Sequence, residues 1–338
     1  MLKFYRSSII FAVLAVAAGY ALAGVTGAWV VLVLGSLETS LSFDNAVVNA
    51  SILKNWSQKW RDRFVTYGMP VAVFGMRFAF PVAIVAVAAK LGPLDAINLA
   101  IHEPLKYAAI MTSVHLQIAA FGGAFLLMIF LKYFLDANKE VHWIRFIEEP
   151  MSHLGEMEAI VTLVVIWDAS TYVGAETQLS FMMAGVWGLV TYMAVDVLGG
   201  LVNGDDSEQV GGRIIKEGVV GLLYLELIDA SCSFDGVLSG FSITTNIFLL
   251  MLGLGVGAFF VRSMTLQLVS TGTLATYRYL EHSAFWAIGA LASTMFISVV
   301  YELPDAVTGF IGIFLLSCGL ISSIITNKRT PVEDSSAT

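Results

Sequence analysis

The sequence predicts an all-α, polytopic membrane protein with about ten transmembrane helices, and three observations carry that prediction. Hydrophobic residues make up 57% of the 338 positions and charged residues only 13%. Soluble domains are about a quarter charged, so this chain cannot build an ordinary water-exposed surface. The mean hydropathy is +0.80. Several apolar stretches also reach the roughly 20 residues that a helix needs to cross a bilayer.

Ten apolar segments can be marked along the chain. They lie at about 8–24, 26–52, 64–89, 113–134, 158–176, 179–201, 217–242, 246–269, 284–302 and 306–326. Lysine and arginine are enriched in the cytoplasmic loops of membrane proteins. Lys54 and Arg61 follow the second segment, and Lys139 and Arg145 follow the fourth. This distribution favours ten spans with both termini in the cytoplasm.

One acidic, serine-containing motif occurs twice. The residues Glu38-Thr-Ser-Leu-Ser-Phe-Asp44 in the second segment match Asp229-Ala-Ser-Cys-Ser-Phe-Asp235 in the seventh. Each copy has its two acids at the same spacing, with the serines and the phenylalanine between them. The first copy continues with Asn45, whereas the second continues with Gly236.

The internal match extends beyond this motif. Arg77 and Arg262 lie in the next segment of each half, and His115 and His282 each precede Ala, Gly and Met at identical offsets. Segments one to five therefore map onto six to ten, and an odd number of spans per repeat orients the two repeats oppositely. We expect two inverted five-helix repeats, 1–178 and 179–326, and a disordered cytoplasmic tail, 327–338. Transporters of this plan bind their substrate near the midplane, between the repeats.

The repeated acids and hydroxyls predict a cation site. A carboxylate inside a bilayer costs at least about 2.5–3.5 kcal/mol, so it faces an interior or a cavity and usually has a function. An interruption of the helix at the motif would turn its oxygens towards one site. Such oxygens suit a hard divalent cation, and clustered acids release protons when a cation binds. The predicted metal ligands are Glu38, Ser40, Ser42, Asp44, Asn45, Asp229, Ser231, Ser233 and Asp235.

The duplicated basic residues leave several interpretations open. Arg77 and Arg262 either neutralise the empty site or anchor the ends of their segments. His115 and His282 either gate the site or relay protons, or they form interfacial hydrogen bonds. The whole set could also be a neutral buried network of acids and arginines that fixes helix packing. We expect a charge-balancing or gating role for all four.

Other function classes are disfavoured. The net charge of −8 argues against nucleic acid as a partner. The sequence has no zinc-protease, nucleophile-elbow or phosphate-loop motif, so we do not expect an enzyme or a tightly bound cofactor. Gly253, Gly255 and Gly257 predict close packing between membrane helices.

Residues Leu37–Asn45 resemble the Leu-Glu-x-x-x-Ser-x-Asp-Asn signature of the TerC family of integral membrane proteins, named for tellurite resistance. The glycine-then-arginine patterns ending at Arg77 and Arg262 are similar to the family pattern that follows. The similarity runs from about Leu34 to Ile325 and implies a divergent branch of the LysE-like superfamily. The segment 135–157 departs from the usual TerC pattern.

This resemblance implies a bacterial-type inner (plasma) membrane protein, in a family that includes manganese exporters. It also implies that Glu38, Asp44 and Asn45 bind metal. We therefore expect export of a divalent cation, manganese before calcium, in exchange for protons. We expect the protein to lie in the lipid bilayer. Whether it forms a homo-oligomer or binds a cytoplasmic partner protein stays open. The alternatives are an exporter of a small organic solute or oxyanion through Arg77 and Arg262, and a non-transporting scaffold that docks a partner through 135–157.

Overall fold

The computed structural model describes residues 2–137, 139, 141–203, 217–301 and 303–329, which form helices and connecting turns without a β-strand. The all-α class is therefore confirmed. The helices are α1 (Leu2–Leu41), α2 (Phe43–Leu53), α3 (Gln58–Pro70), a π-helical segment (Val71–Ala79), α4 (Phe80–Ala88), α5 (Pro93–His102), α6 (Pro104–Ser113), α7 (His115–Phe134), α8 (Arg145–Ser152), α9 (Glu158–Ser170), α10 (Ala175–Asn203), α11 (Val219–Ile243), α12 (Ile247–Ser270), α13 (Thr273–Thr276), α14 (Leu280–Ile297) and α15 (Asp305–Arg329).

Helices lie on all ten apolar segments, yet fewer of them qualify as membrane spans. Within the described residues, six stretches are long and apolar enough to cross a membrane by length and composition: Lys3–Leu41, Gln58–Ala88, His115–Phe134, Ala175–Gly199, Ile247–Ser270 and Val307–Lys328. The long helix α11 carries three acids, which lower its hydropathy. The 13 residues of α9 extend only about 20 Å, less than the roughly 30 Å hydrocarbon core. The structure thus shows a helical, membrane-like protein.

α1 consists of two helical arms joined by a sharp turn. Ala23 and Gly24 have non-helical dihedral angles, and the φ of Gly24 is +62°, in the left-handed region that favours glycine. The arms approach closely, since a β-carbon on Gly19 would stand 2.9 Å from the carbonyl oxygen of Gly27. The turn therefore separates the first two apolar segments at the predicted place.

The two copies of the repeated motif have different backbones. In the first copy, Ser42 has φ −98° and ψ 22° and separates α1 from α2. In the second copy, α11 continues through Ser231 and Ser233 to Ile243. The interruption expected from the sequence is therefore present in the first copy, whereas the second is a continuous helix.

Polar contacts join several helix termini at one end of the bundle. They are Lys54–Glu281 (2.6 Å), Tyr5–Gln267 (2.7 Å), Ser57–Glu217 (2.5 Å) and Asn327–Thr276 (2.8 Å). We call this the Lys54 end. The first arm of α1 starts at these contacts and ends at the Gly24 turn. Helix α11 also starts beside them, and α12 returns to them at Gln267. The Gly24 turn and the junction of α11 with α12 therefore lie at the opposite end.

The polar segment between α7 and α9 folds back onto the Lys54 end through a buried glutamate. The carboxylate of Glu148 on α8 accepts hydrogen bonds from the backbone N–H groups of Trp143 (3.0 Å) and Ile144 (3.1 Å). It also accepts from the Trp286 indole (3.0 Å) and from the Lys139 ammonium (3.3 Å). We call these five residues the Glu148 cluster. They attach the segment to the start of α14.

At the C-terminus, the structure differs from the predicted boundary. α15 continues to Arg329, so the first three residues of the expected tail, 327–338, are helical. The remaining residues of that tail lie outside the described ranges.

Candidate functional site

Arg77 lies at the centre of the repeated motif and is completely buried. Its Nη2 donates to Glu38 Oε1 at 2.7 Å and to Ser233 Oγ at 3.1 Å. Its Nη1 donates to Asp229 Oδ2 at 3.0 Å and to the Ala72 carbonyl at 2.8 Å. One arginine from the π-helical segment therefore joins both motif copies. We call Glu38, Arg77, Asp229 and Ser233 the Arg77 cluster.

The glycines of α12 allow the helices around this cluster to pack closely. A β-carbon on Gly253 would stand 2.5 Å from Cβ of Leu34, and one on Gly255 would stand 3.1 Å from Cγ1 of Val73. A β-carbon on Gly257 would overlap the side-chain carbons of Glu38. The close packing predicted for these glycines is confirmed, and it positions Glu38 against Arg77.

A cavity of about 50 Å³ lies next to the Arg77 cluster. Its oxygen-bearing side chains include Glu38, Ser42, Asp44 and Asn45, which surround the helix interruption. Gly236 of α11 forms part of the opposite wall, where a β-carbon would stand 2.7 Å from Glu38 Oε2. The volume exceeds the roughly 10–15 Å³ that one water requires, so an ion or a few waters fit.

A larger groove of about 370 Å³ meets this cavity at Glu38, Leu41 and Gly236. Its walls include Ile243 at the end of α11 and Phe310 near the start of α15. Both residues lie towards the end of the bundle opposite Lys54. The groove therefore leads from that opposite end to Glu38 and on to the smaller cavity.

Asp44 is a buried carboxylate without a basic partner among the described residues. Its side chain lines the cavity, and its Oδ1 accepts a hydrogen bond from the backbone N–H of Asn45 at 2.9 Å. Asp44 lies in the first turn of α2, where the helix dipole favours a negative charge. The local backbone thus stabilises the carboxylate and leaves it available to a ligand.

Two asparagines on α2 add unpaired oxygen atoms. Asn45 and Asn49 lie one turn apart and are 1% and 4% exposed. Within the described part of the chain, neither side-chain carbonyl oxygen has a hydrogen-bond partner. Of the two, Asn45 lines the cavity and Asn49 does not. Buried polar atoms are normally paired, so the unpaired oxygen of Asn45 indicates a place for a donor or a cation.

The structure gathers some of the predicted ligands and separates others. Glu38, Ser42, Asp44 and Asn45 line the cavity, whereas Asp229 and Ser233 bind Arg77. Ser40 is exposed towards the groove and donates to the Ser36 carbonyl, and Ser231 is buried. The side chain of Asp235 lies outside the described positions.

No group of three or more His, Cys, Asp or Glu side chains in the described ranges is arranged to hold a metal ion. The reason at the Arg77 cluster is that the guanidinium stands between Glu38 and Asp229. Of the acids predicted as ligands, Glu38 and Asp229 are therefore paired with Arg77 instead of being free to share a metal ion. The oxygens beside the helix interruption are the remaining candidate donors.

The other predicted gating residues lie away from the cavity. Arg262 pairs with Glu226 at 2.8 Å and donates to the Phe64 carbonyl at 2.7 Å. His282 lies beside the Glu148 cluster, with its Nε2 hydrogen-bonded to the Val141 carbonyl at 2.7 Å. His115 is half-buried at the first position of α7.

The predicted site residues leave out Glu226, Glu148 and Asn49, although Glu226 and Asn49 lie in the two segments that carry the motif. Glu226 could have been found, because an acid inside an apolar segment is rare and usually functional. Its repeat-equivalent position holds Gly35, so the duplication used to choose the site residues passed over it. Glu148 lies in a polar segment, where an acid carries no such signal.

Comparison with known proteins places the chain in a family. No curated protein and no solved structure matches it. The family model described as "Protein of unknown function (DUF475)" matches residues 43–330. That range is most of the chain, and it includes Asp44, both arginines and the whole second motif copy. The chain therefore belongs to the DUF475 family of proteins of unknown function.

Proposed function

We propose that the chain is a secondary active transporter that exports a divalent metal cation in exchange for protons. The cation would bind at the cavity beside the Ser42 interruption, and manganese is the first candidate. The similarity of residues Leu37–Asn45 to the TerC signature supports manganese, since that family includes manganese exporters. Membership of DUF475 is compatible with this proposal and does not specify a substrate.

The charge balance at the cavity carries the proposal. Glu38, Asp44 and Asp229 contribute three carboxylates, while Arg77 is their one basic partner in the described residues. With all four ionised, two negative charges are left uncompensated. Buried charges of one sign cannot remain unpaired at low cost, so they must take up protons or a cation. Either one divalent cation or two protons would neutralise these two negative charges, so the one can be exchanged for the other.

The available donors also fit a hard cation. Mn²⁺ and Ca²⁺ accept neutral and anionic oxygen ligands. The cavity offers both kinds: carboxylate oxygens of Glu38 and Asp44, the Ser42 hydroxyl and the Asn45 carbonyl. An oxyanion fits less well. Arg77 already donates through Nη1 and Nη2 to four protein acceptors, and of its donors only Nε has no partner in the described residues. A single N–H offers an anionic substrate much less than a free guanidinium would.

A ten-span, inverted-repeat arrangement in a bacterial-type inner membrane is part of the same proposal. The clustering of helix termini at the Lys54 end supports it, because these are the ends that the charge distribution assigns to the cytoplasm. In this orientation both chain termini are cytoplasmic, and the groove opens to the outside. The protein would therefore release its cation through the groove in the conformation described.

Manganese binding by calorimetry tests the proposal. The purified protein should bind Mn²⁺, and the heat should vary with the ionisation enthalpy of the buffer because binding releases protons. The double variant Glu38→Gln/Asp229→Asn should bind more weakly and release fewer protons, since it removes two exchangeable carboxylates. The apparent affinity of the natural protein should rise with pH across roughly 5–8.

Two results would contradict this function. Binding that releases no protons and does not depend on pH would indicate a channel or a structural metal. A protein that binds neither manganese nor calcium at any pH would favour the exporter of an organic solute. The variant Asp62→Asn, which alters an exposed acid on α3, serves as the matched control.

A further inference from the structure

A second buried acid–arginine pair lies beyond the Arg77 cluster. Glu226 on α11 and Arg262 on α12 are 3% and 5% exposed, and Arg262 Nη2 donates to Glu226 Oε1 at 2.8 Å. Arg262 also lies over the ring of Phe64, with 3.9 Å between its Cζ and the ring centroid. A β-carbon on Gly68 would stand 2.6 Å from Glu226 Oε1. The glycine therefore leaves a slot that this pair fills.

Glu226 continues the buried charges from the cavity towards the Lys54 end. It precedes Asp229 by three positions on α11, so the two acids share one face of the helix. Arg77 links Asp229 to Glu38 at the cavity, and Arg262 lies on the far side of Glu226. The groups that interact with the Glu226 charge are Asp229 on its own helix, Arg262 on α12 and Arg77 on the π-helical segment.

One carboxylate oxygen of Glu226 accepts no hydrogen bond from the described part of the chain. Oε1 accepts from Arg262, whereas Oε2 is buried without a partner. A buried oxygen without a hydrogen-bond partner destabilises the folded state, so an entirely structural ion pair would normally avoid it. Because Oε2 is free, the carboxylate can take a proton there and keep its bond to Arg262 through Oε1.

We propose that Glu226 carries the exchanged proton between Asp229 and the Lys54 end, on a route separate from the cation cavity. This inference rests on the proposed function. When a cation binds at the cavity, a proton leaves the carboxyl group of Asp229 and is taken up at Oε2 of Glu226. One O–H bond breaks and one forms, and Arg262 holds the acceptor in place. Glu226 then loses this proton at the Lys54 end, which breaks the new O–H bond and restores the carboxylate. Asp229 takes up another proton from the cavity side when the cation is released, so a proton crosses the protein in each cycle.

Proteoliposomes containing the full chain separate this role from a structural one. Net transport is measured as proton movement that accompanies a manganese gradient. Exchange of labelled against unlabelled manganese at equal pH requires no net proton movement. The variant Glu226→Gln should lose net proton-coupled transport and retain manganese exchange. Glu226→Asp keeps an ionisable group and should restore part of the coupling.

The single change Glu226→Gln leaves Arg262 buried without its acidic partner, which could destabilise the protein. The double variant Glu226→Gln/Arg262→Gln removes both charges together. It should fold stably and still lack proton coupling, whereas Glu158→Gln, a buried acid paired with Lys132, should couple normally. Proton coupling at the natural level in Glu226→Gln or in the double variant would overturn the inference. So would a parallel loss of exchange and coupling in the stable double variant. If the unaltered protein moves no manganese in either assay, the proposed function fails, and this inference falls with it.

Discussion

Glu38 and Glu148 are both buried glutamates with a basic partner, but the protein surrounds them differently. The two oxygens of Glu148 accept hydrogen bonds from two backbone N–H groups, an indole and an ammonium group. Oε1 of Glu38 accepts a hydrogen bond from Arg77, while Oε2 lies at the cavity wall beside Gly236. A carboxylate with all of its acceptor positions occupied stabilises structure. One with an oxygen at a cavity wall, next to other acids, is available for binding.

The electrostatics of Glu148 agree with a structural role. Burial alone would raise its pKa, but the hydrogen bond from Trp286, the charge of Lys139 and the N–H of Ile144 together lower the pKa of Glu148 below its ordinary value. His282 lies 3.9 Å away and also favours the carboxylate when protonated. Glu148 is therefore ionised at neutral pH.

The largest effect should come from Asp44 and its repeat equivalent Asp235. Asp44→Asn and Asp235→Asn should each abolish manganese transport in proteoliposomes, because each removes a charge at an equivalent place in the repeat. Thermal unfolding of Asp44→Asn should be nearly unchanged, since Asp44 has no basic partner in the described ranges to leave unpaired. Asp62→Asn is the control. Transport at the natural rate by either variant would rule out a shared site.

Glu148→Gln should have the opposite profile. We expect a loss of roughly 1–3 kcal/mol in unfolding free energy, because donors that now point at the carboxylate lose an anionic acceptor. Manganese transport should stay near the natural rate at temperatures where the variant is folded. Loss of transport without loss of stability would make the Glu148 cluster part of the transport machinery.

The stability difference between the natural protein and Glu148→Gln should also depend on pH. A carboxyl group with a lowered pKa stabilises the folded state fully above its unfolded-state pKa, near 4.5. This contribution is lost as the pH falls through the folded-state pKa. The difference in unfolding temperature should therefore be constant near neutral pH and shrink below about pH 4.5. A difference in unfolding temperature that grows on acidification would contradict the lowered pKa of Glu148.

The sequence predicted the helical class, and helices lie on the apolar segments that it marked, because hydrophobic runs and the Gly24 turn are local signals. It also raised an interruption of the helix within the motif, which the structure places at Ser42 in the first copy. It did not predict that α11 stays continuous, since both motif copies have nearly the same local pattern. It offered a buried network of acids and arginines as an alternative. It did not predict that Arg77 pairs with both Glu38 and Asp229, because such contacts depend on how three separate segments pack. The cavity could be inferred only in outline for the same reason.

The smallest expected effect concerns Gly236, where the second motif copy departs from the first. A β-carbon there would stand 2.7 Å from Glu38 Oε2, closer than side-chain carbons normally approach an oxygen. Gly236→Ala should therefore push the carboxylate of Glu38 away from the cavity and weaken manganese binding several-fold, on the order of 1 kcal/mol. Gly312→Ala is the matched comparison, because its β-carbon would lie at an ordinary 3.6 Å from Asp44 Oδ2. Calorimetry should show a smaller loss for Gly312→Ala than for Gly236→Ala. Equal affinities for both variants would mean that Oε2 of Glu38 takes no part in binding, and Glu38 would then be a structural acid like Glu148.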